Sequence, residues 1–472
     1  MNQPDKNFSD QKPRRDAPGQ AVALSLRFNF GTGALGMAIV LNTLGGILAP
    51  FMTNFLGISA GAAAALILAS KLYDMVTDPL MGVISDRTNT RLGRRRPYLL
   101  LGGVVTAAGF SLIFNPPAFD NTTLLGAWVL GALLLTYTGY TLFNVPFLAM
   151  PAEMTTNYHA RTSLMSWRTL FINIGALIAV SSYALVERLG NDRGAHGVMG
   201  LIYAALIAGG SIYCFFGLAS ARQTSALKRA RTPPIRRQIG TIVENRPLMN
   251  LLGAKLCQLL GLASASAAGV YFKVVILKMS YSQTTLFLVV NIAVILATIP
   301  FWNLVSRKYG KRPLYMIATA CFALTTSTWL LATAADPLEY IFVRAVFLGF
   351  FASGVIILGA ALLPDAVEYD YLRTGMRREA TMSAFYATVE KFAFAAGPAL
   401  ALWLLGAFGY QSGTEGMQIE QPASAINAIY VSAGLAPALL YGLSLTFLYR
   451  YDLTEGKLEA ARARLAASAA AS

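Results

Sequence analysis

Two aspartates, Asp74 and Asp78, lie in a largely apolar stretch that reads KLYDMVTDPLMGVIS from Lys71. Residues four apart are about one helical turn apart, so both carboxylates are expected on one helix face. Two acids within hydrocarbon are costly, which makes the pair a functional hypothesis. Their hard oxygens suit a small alkali cation, and their mutual repulsion equally permits one of them to carry a proton. The residues alone leave Na⁺ and H⁺ open.

A cluster of arginines follows the two aspartates. Its members are Arg87, Arg91, Arg94, Arg95 and Arg96. Basic clusters of this kind are typical of a cytoplasmic loop that fixes membrane topology. A second interpretation is a gate, in which Asp86, Arg87 and Arg94 exchange partners with helix ends as the cytoplasmic side opens.

The composition indicates a protein with many membrane spans. Of the 472 residues, 55% are hydrophobic and only 13% are charged, which is too apolar for an ordinary soluble protein. The net charge of +15 comes from short loops between apolar runs, so anionic lipid is a better partner than nucleic acid. The three cysteines lie in apolar runs without a spacing that suggests pairing.

Twelve apolar segments have roughly the length that spans a bilayer. Their approximate bounds are 26–52, 61–84, 98–116, 124–150, 162–186, 198–220, 248–277, 282–305, 314–334, 340–363, 379–406 and 425–449. The longest internal loop is basic and divides the segments six and six. We therefore expect a polar cytoplasmic tail (1–25), an N-terminal six-helix bundle (26–220), a cytoplasmic loop (221–247), a C-terminal six-helix bundle (248–449) and a second cytoplasmic tail (450–472).

Orientation follows from the distribution of Lys and Arg between alternate loops. With the first tail inside, the cytoplasmic loops carry 20 of these residues and the opposite loops only 3. The positive-inside rule therefore predicts that both termini are cytoplasmic and that the chain lies in the inner membrane.

A short repeat relates the two halves. The sequence from Gly93 reads GRRRP, and that from Gly310 reads GKRP, each in the loop after the second helix of its half. Two six-helix halves with such loops resemble the major facilitator superfamily, whose halves rock about a central site. The resemblance implies an all-α membrane fold of twelve helices in two bundles.

Two longer motifs narrow the resemblance. Residues 74–97 (DMVTDPLMGVISDRTNTRLGRRRP) and 364–391 (PDAVEYDYLRTGMRREATMSAFYATVEK) resemble the two signatures of the glycoside-pentoside-hexuronide:cation symporter family. In that family, the positions of Asp74 and Asp78 form the site of the coupling cation, and the position of Lys391 lies close to them. A lysine inside a helix also needs a counter-charge, which an acid of the opposite half would supply. Snorkelling beside Glu390 is the simpler alternative for this lysine.

The second motif also mixes charges of both signs in a predicted loop, 364–378. We expect Asp365, Asp370 and Arg377 to form salt bridges between the two bundles at the cytoplasmic face, with a solvated loop as the alternative.

The resemblance is weakest at the substrate site. Two acids that bind sugar hydroxyls in the family are replaced here by Ala38 and Asn144, whereas Arg168 matches a sugar-site arginine of the family. Other polar residues that could line a central cavity are Asn42, Tyr140, Thr141 and Lys255. A less negative cavity favours an acidic glycoside such as a hexuronide over a neutral galactoside.

The sequence therefore predicts a cation-coupled symporter that imports a sugar or glycoside by alternating access. Alternatives are a symporter of lysolipid-like substrates, because vertebrate lysolipid symporters share both signatures, and an uncoupled sugar facilitator. Nothing resembles a catalytic constellation, since His159 and His196 are isolated loop residues and no metal or nucleophile spacing appears. We expect no cofactor beyond the coupling ion, no channel filter and a monomer surrounded by membrane lipid.

Overall fold

Twelve long helices dominate the computed structural model, which describes residues 22–155, 158–221, 244–374, 379–414, 419–453, 456–460 and 463. Each has the length and hydropathy needed to cross a membrane. They are α1 (Leu24–Gly46), α2 (Ala60–Arg87), α3 (Arg96–Phe114), α4 (Thr122–Met154), α5 (Tyr158–Val180, continued by Ser182–Arg188), α6 (Arg193–Gly217), α7 (Arg246–Tyr271), α8 (Tyr281–Tyr309), α9 (Lys311–Ser327), α10 (Leu338–Thr374), α11 (Glu379–Ala407) and α12 (Ala423–Arg450). The prediction of an all-α, twelve-span fold is confirmed.

Large apolar side chains cover the outer faces of these helices. Leu324 is 67% exposed and Leu439 is 63% exposed, which would be unfavourable in water over so much of a surface. The surrounding solvent must therefore be lipid, and the chain is a multi-pass membrane protein.

Polar caps begin several helices at the places where the sequence turns. The side chains of Ser59, Asn121 and Asp192 accept hydrogen bonds from the first turns of α2, α4 and α6. Ser280 and Gln283 cap α8 reciprocally, which satisfies two backbone N–H groups that would otherwise lack partners. Between α8 and α9 the chain turns at one residue, Gly310, whose φ of +82° favours glycine.

We call the end of the protein that holds the Arg87–Arg96 loop, the Gly310 turn and Arg450 the basic end. Successive helices alternate in direction, so the residues after α1 and between α5 and α6 lie at the opposite end. The bundles are joined there by a hydrogen bond between the hydroxyls of Tyr271 and Thr53 (2.8 Å) and by one from the Tyr410 hydroxyl to Asn54 Oδ1 (3.0 Å). These contacts close the opposite end. A polar cavity of about 310 Å³ lies there, and Asn54 and Tyr410 are part of its lining.

A carboxylate reinforces this closure. Glu187, at the end of α5, accepts hydrogen bonds from the backbone N–H (2.6 Å) and the hydroxyl of Ser282 in the first turn of α8. An anion at a helix N-terminus is favoured by the helix dipole. The contact therefore ties the N-terminal half of the chain to the C-terminal half at the opposite end.

Helix α10 differs from the sequence expectation. It continues through Pro364 to Thr374, so Asp365 and Asp370 lie on a helix, and the prediction of a loop from 364 is wrong. The reason is burial, because Asp370 is only 1% exposed and lies 3.5 Å from Asn245 at the start of α7. The predicted tail 1–25 and loop 221–247 lie almost wholly outside the described residues.

Candidate functional site

The two aspartates of α2 converge on one hydroxyl group. Asp74 lies near the middle of the helix and is 8% exposed, and Asp78 follows one turn later. Thr141 of α4 places its Oγ1 at 3.1 Å from Asp74 Oδ1 and at 2.8 Å from Asp78 Oδ1. A hydroxyl has one proton and can donate it to only one carboxylate at a time. The three side chains therefore gather several oxygens that a small cation could share.

Lys391 of α11 reaches this group from the other bundle. Its ammonium contacts the Asp78 carboxylate directly and lies 3.7 Å from Asp74 Oδ2. Among the ion pairs whose two partners the structure describes, these are the ones that join the bundles. The ammonium thus lies where a metal cation would have to lie in order to bind the same two carboxylates.

Lys71 is a fourth charge beside Asp74, Asp78 and Lys391, and the two family motifs do not include it. It lies one turn before Asp74, and its Nζ is 4.6 Å from the centre of the Tyr137 ring. Attraction to Asp74 also acts on it. With Asp74, Asp78 and Lys391 it makes a formally neutral set of two acids and two bases. The i,i+3 spacing from Lys71 to Asp74 was a signal for this placement.

The predicted substrate residues of the N-terminal bundle lie beside the set of four charges formed by Lys71, Asp74, Asp78 and Lys391. Tyr140, on α4 next to Thr141, is within electrostatic range of both aspartates and of Arg168. The Nε of Arg168 is buried, and no described residue accepts a hydrogen bond from it. Asn144 follows one turn after Tyr140, and no described residue binds its amide.

Two positions on α1 are less suited to substrate contact. Asn42 donates from Nδ2 to the Ala38 carbonyl of its own helix at 2.8 Å. Ala38 is 5% exposed and packs against Gly175 of α5, where an added Cβ would meet it at 2.8 Å. This position therefore serves helix packing.

Lys255 lies apart from the other predicted substrate residues, in the C-terminal bundle. It is 7% exposed on α7, and its Nζ is 5.7 Å from the centre of the Tyr386 ring of α11. Its electrostatic partner is Glu390, the neighbour of Lys391. The neighbouring residues Glu390 and Lys391 thus face different bundles.

The predicted gate residues of the first motif pair within the N-terminal bundle. The Nη2 of Arg94 lies 2.7 Å from Asp86 Oδ1. The Nη2 of Arg95 lies 3.4 Å from the same oxygen and 3.2 Å from Oε1 of Glu153 on α4. Arg87 is exposed at the end of α2.

The described gate residues of the second motif pair within the C-terminal bundle. Asp365 contacts Lys311 of α9 at 2.6 Å, and Asp370 lies 3.8 Å from Arg373 on its own helix. Arg377 lies outside the described residues. The described ion pairs at the basic end thus stay within one bundle, whereas the sequence predicts bridges between bundles.

Comparison with known proteins identifies the family. Residues 29–455 match the family described as MFS/sugar transport protein. The chain belongs to this family. It is a transporter of the major facilitator superfamily, and not an enzyme.

Individual relatives agree with the predicted resemblance to glycoside:cation symporters, which is confirmed. The putative glycoside/cation symporter YagG of Escherichia coli is 26% identical, over 92% of this chain and 93% of its own length. The glucuronide carrier protein homolog of the same species is 25% identical, over 92% and 93%. The crystal structure of a D-xylose-proton symporter has a TM-score of 0.63 at 15% identity, over 92% of this chain and 98% of its own, and shows the same fold.

Proposed function

We propose that this protein is a cation-coupled symporter of a glycoside, with Asp74 and Asp78 holding the coupling cation. The observation that carries the proposal is the contact of Lys391 with both carboxylates across the bundle interface. A cation that binds there competes with the lysine for the same oxygens. Cation binding and the attachment of one bundle to the other are therefore linked.

The proposed cycle begins with this competition. A Na⁺ ion or a proton binds to the carboxylates and to the Thr141 hydroxyl, and the Lys391 ammonium is released from the carboxylates. The link that this lysine makes between α2 and α11 is then lost, so the two bundles can change their relative tilt. A cation influences this equilibrium only through its different affinity for the two states.

The substrate is proposed to bind beside the cation, between Arg168, Tyr140 and Asn144. The Nε of Arg168 is buried and has no partner among the described residues, and a buried polar group without a hydrogen bond is costly. A carboxylate-bearing sugar would satisfy it with a charge-assisted bond. A hexuronide is therefore the favoured cargo, and one relative is itself named a glucuronide carrier homolog.

Uptake into proteoliposomes tests the proposal. Methyl β-glucuronide, methyl β-glucoside and a lysophospholipid are offered with and without an inward Na⁺ gradient, each at two pH values. We expect gradient-driven accumulation of the glucuronide. Counterflow without any Na⁺ or pH dependence would select an uncoupled facilitator, and uptake of the lysophospholipid alone would overturn the sugar assignment.

A further inference from the structure

Two charged residues of the C-terminal bundle lie at the same depth in the membrane. Lys255 is nine residues into α7 and Glu390 is eleven residues into α11, and both helices start at the basic end. At about 1.5 Å per residue they lie about 14 and 16 Å from that end. Both positions lie inside the membrane-spanning parts of their helices, Arg246–Ile276 and Phe385–Ala407.

Neither charge has a hydrogen-bond or ion-pair partner within 4.0 Å among the described residues. The charged atoms of Lys255 and Glu390 attract each other but are more than 4.0 Å apart. No described residue accepts a hydrogen bond from the Lys255 ammonium or donates one to the Glu390 carboxylate. Lys255 is nevertheless 7% exposed, so its three N–H donors are shielded from bulk water.

The next polar side chain on α7 differs from that of Lys255 because it has hydrogen-bond partners. Gln258 receives a hydrogen bond from Tyr315 at 2.6 Å and donates to Thr319 and Ser444, each at 3.3 Å. Both N–H donors and the oxygen of this amide therefore have partners within the bundle. Lys255 of α7 thus offers N–H donors and Glu390 of α11 an acceptor, with the centre of the Tyr386 ring 5.7 Å from the Lys255 Nζ.

We propose that Lys255, Tyr386 and Glu390 form a subsite for a vicinal diol of the transported glycoside, which rests on the function proposed above. The ammonium donates to one hydroxyl oxygen, and the carboxylate accepts the proton of the neighbouring hydroxyl. The Tyr386 ring provides an apolar face for the C–H groups of the sugar. Such a pair completes the hydrogen bonds of both charges at once.

The subsite also orients the cargo. Lys255 and Glu390 together carry no net formal charge, whereas Arg168 in the other bundle carries a positive charge that attracts a carboxylate. A hexuronide therefore places its acid against the N-terminal bundle and its ring hydroxyls against the C-terminal bundle. The cargo then spans both bundles.

The test measures KM and maximal uptake rate of methyl β-glucuronide for Glu390→Gln, Lys255→Met and the double variant. We expect KM to rise roughly 10- to 100-fold in each, because a hydrogen bond to a charged group is lost, while the Na⁺ and pH dependence stays that of the wild type. Phe392→Leu, on the lipid-exposed side of α11, is the control and should keep its KM.

The remaining outcomes distinguish the subsite from a folding defect, from a role in coupling and from a failure of the proposed function. The double variant removes both charges and remains informative if a single variant fails to fold. An unchanged KM in folded variants overturns the subsite, and so does a lost cation dependence at unchanged KM, which would place the pair in coupling. Absence of sugar uptake by the wild type would instead overturn the proposed function.

Discussion

At the scale of single residues, the decisive arrangement is one lysine shared by two carboxylates. Lys391 is partly exposed, whereas Asp74 is buried, so the ammonium is the member that can leave. Removing one partner of a buried charge group leaves the remainder uncompensated. Substitutions at the two aspartates should therefore affect coupling more than substrate binding.

Asp78→Asn provides the first prediction. The amide cannot replace the lost negative charge, so the site no longer attracts a cation or holds Lys391 as strongly. We expect gradient-driven accumulation to fall to the equilibrium level, while substrate counterflow persists. Vesicle uptake and counterflow are compared with Asp452→Asn, which removes an exposed surface carboxylate and should behave as wild type. Accumulation that survives in Asp78→Asn would contradict the cation assignment.

The sequence predicted Asp74, Asp78 and Lys391 as a set because a resemblance linked them. It did not predict that Glu390 faces Lys255, or that Lys71 lies over Tyr137. Each of these pairs joins two helices whose facing sides depend on packing, and no spacing along one helix encodes that. Thr141 was expected at the substrate, but lies on the carboxylates.

At the scale of elements, α3 and α4 pack backbone against backbone. A Cβ built on Gly139 would lie 2.3 Å from the Thr106 N, and one on Gly102 would lie 2.5 Å from the Phe143 N. Small residues allow this approach in membranes, where packing rather than hydrophobicity holds helices together. The close contact fixes α4, and with it Thr141 and Tyr140, against the rest of its bundle.

Gly139→Ala is the second prediction. The new methyl group must push two helix backbones apart, and overpacking of this kind costs about 1–3 kcal/mol. We expect a lower melting temperature in detergent and reduced folded yield. Gly131→Ala, on the same helix with nothing within 4 Å of the added Cβ, is the matched control. Equal stability of the two variants would show that the helices separate freely.

Most helix bounds were predictable to within a few residues because apolar runs and caps mark them. The α10 end was not. Its last turns carry Asp365, Asp370 and Arg373, which are typical of a loop in sequence, but Asn245 at the start of α7 is a partner for the buried Asp370. The density of charged residues therefore predicted the end of α10 too early, because tertiary contacts determine where this helix ends.

At the scale of the whole molecule, the orientation in the membrane is still a prediction from the Lys and Arg distribution. Leu92 (50% exposed) lies at the basic end, and Leu189 (42% exposed) lies at the opposite end. Cysteines at these two positions test the orientation, in a background with Cys321 replaced by Ser. Cys214 and Cys257 are buried.

We expect a membrane-impermeant maleimide to label Leu189→Cys in intact cells, and Leu92→Cys only after permeabilisation. The reverse pattern would place the termini outside. Equal labelling of both would indicate leakage of the reagent, which a cytosolic cysteine protein reports in the same cells.

The number of helices could be predicted from hydropathy alone, whereas the end at which the bundles meet could not. Both states of a rocking transporter have one sequence, so no pattern specifies which end is closed. The contacts of Thr53, Asn54 and Glu187 supply that information because they cross between the halves.

The carboxylate pair also bears on the electrical character of transport. A monovalent cation that enters with a neutral sugar carries one charge across the membrane, which a potential of 100 mV favours by about 2.3 kcal/mol. That alone corresponds to roughly 50-fold accumulation. A hexuronide carries its own negative charge, so entry with one cation is electroneutral and gains nothing from the voltage. Arg168 would then select a cargo whose uptake depends on the chemical gradient of the ion alone.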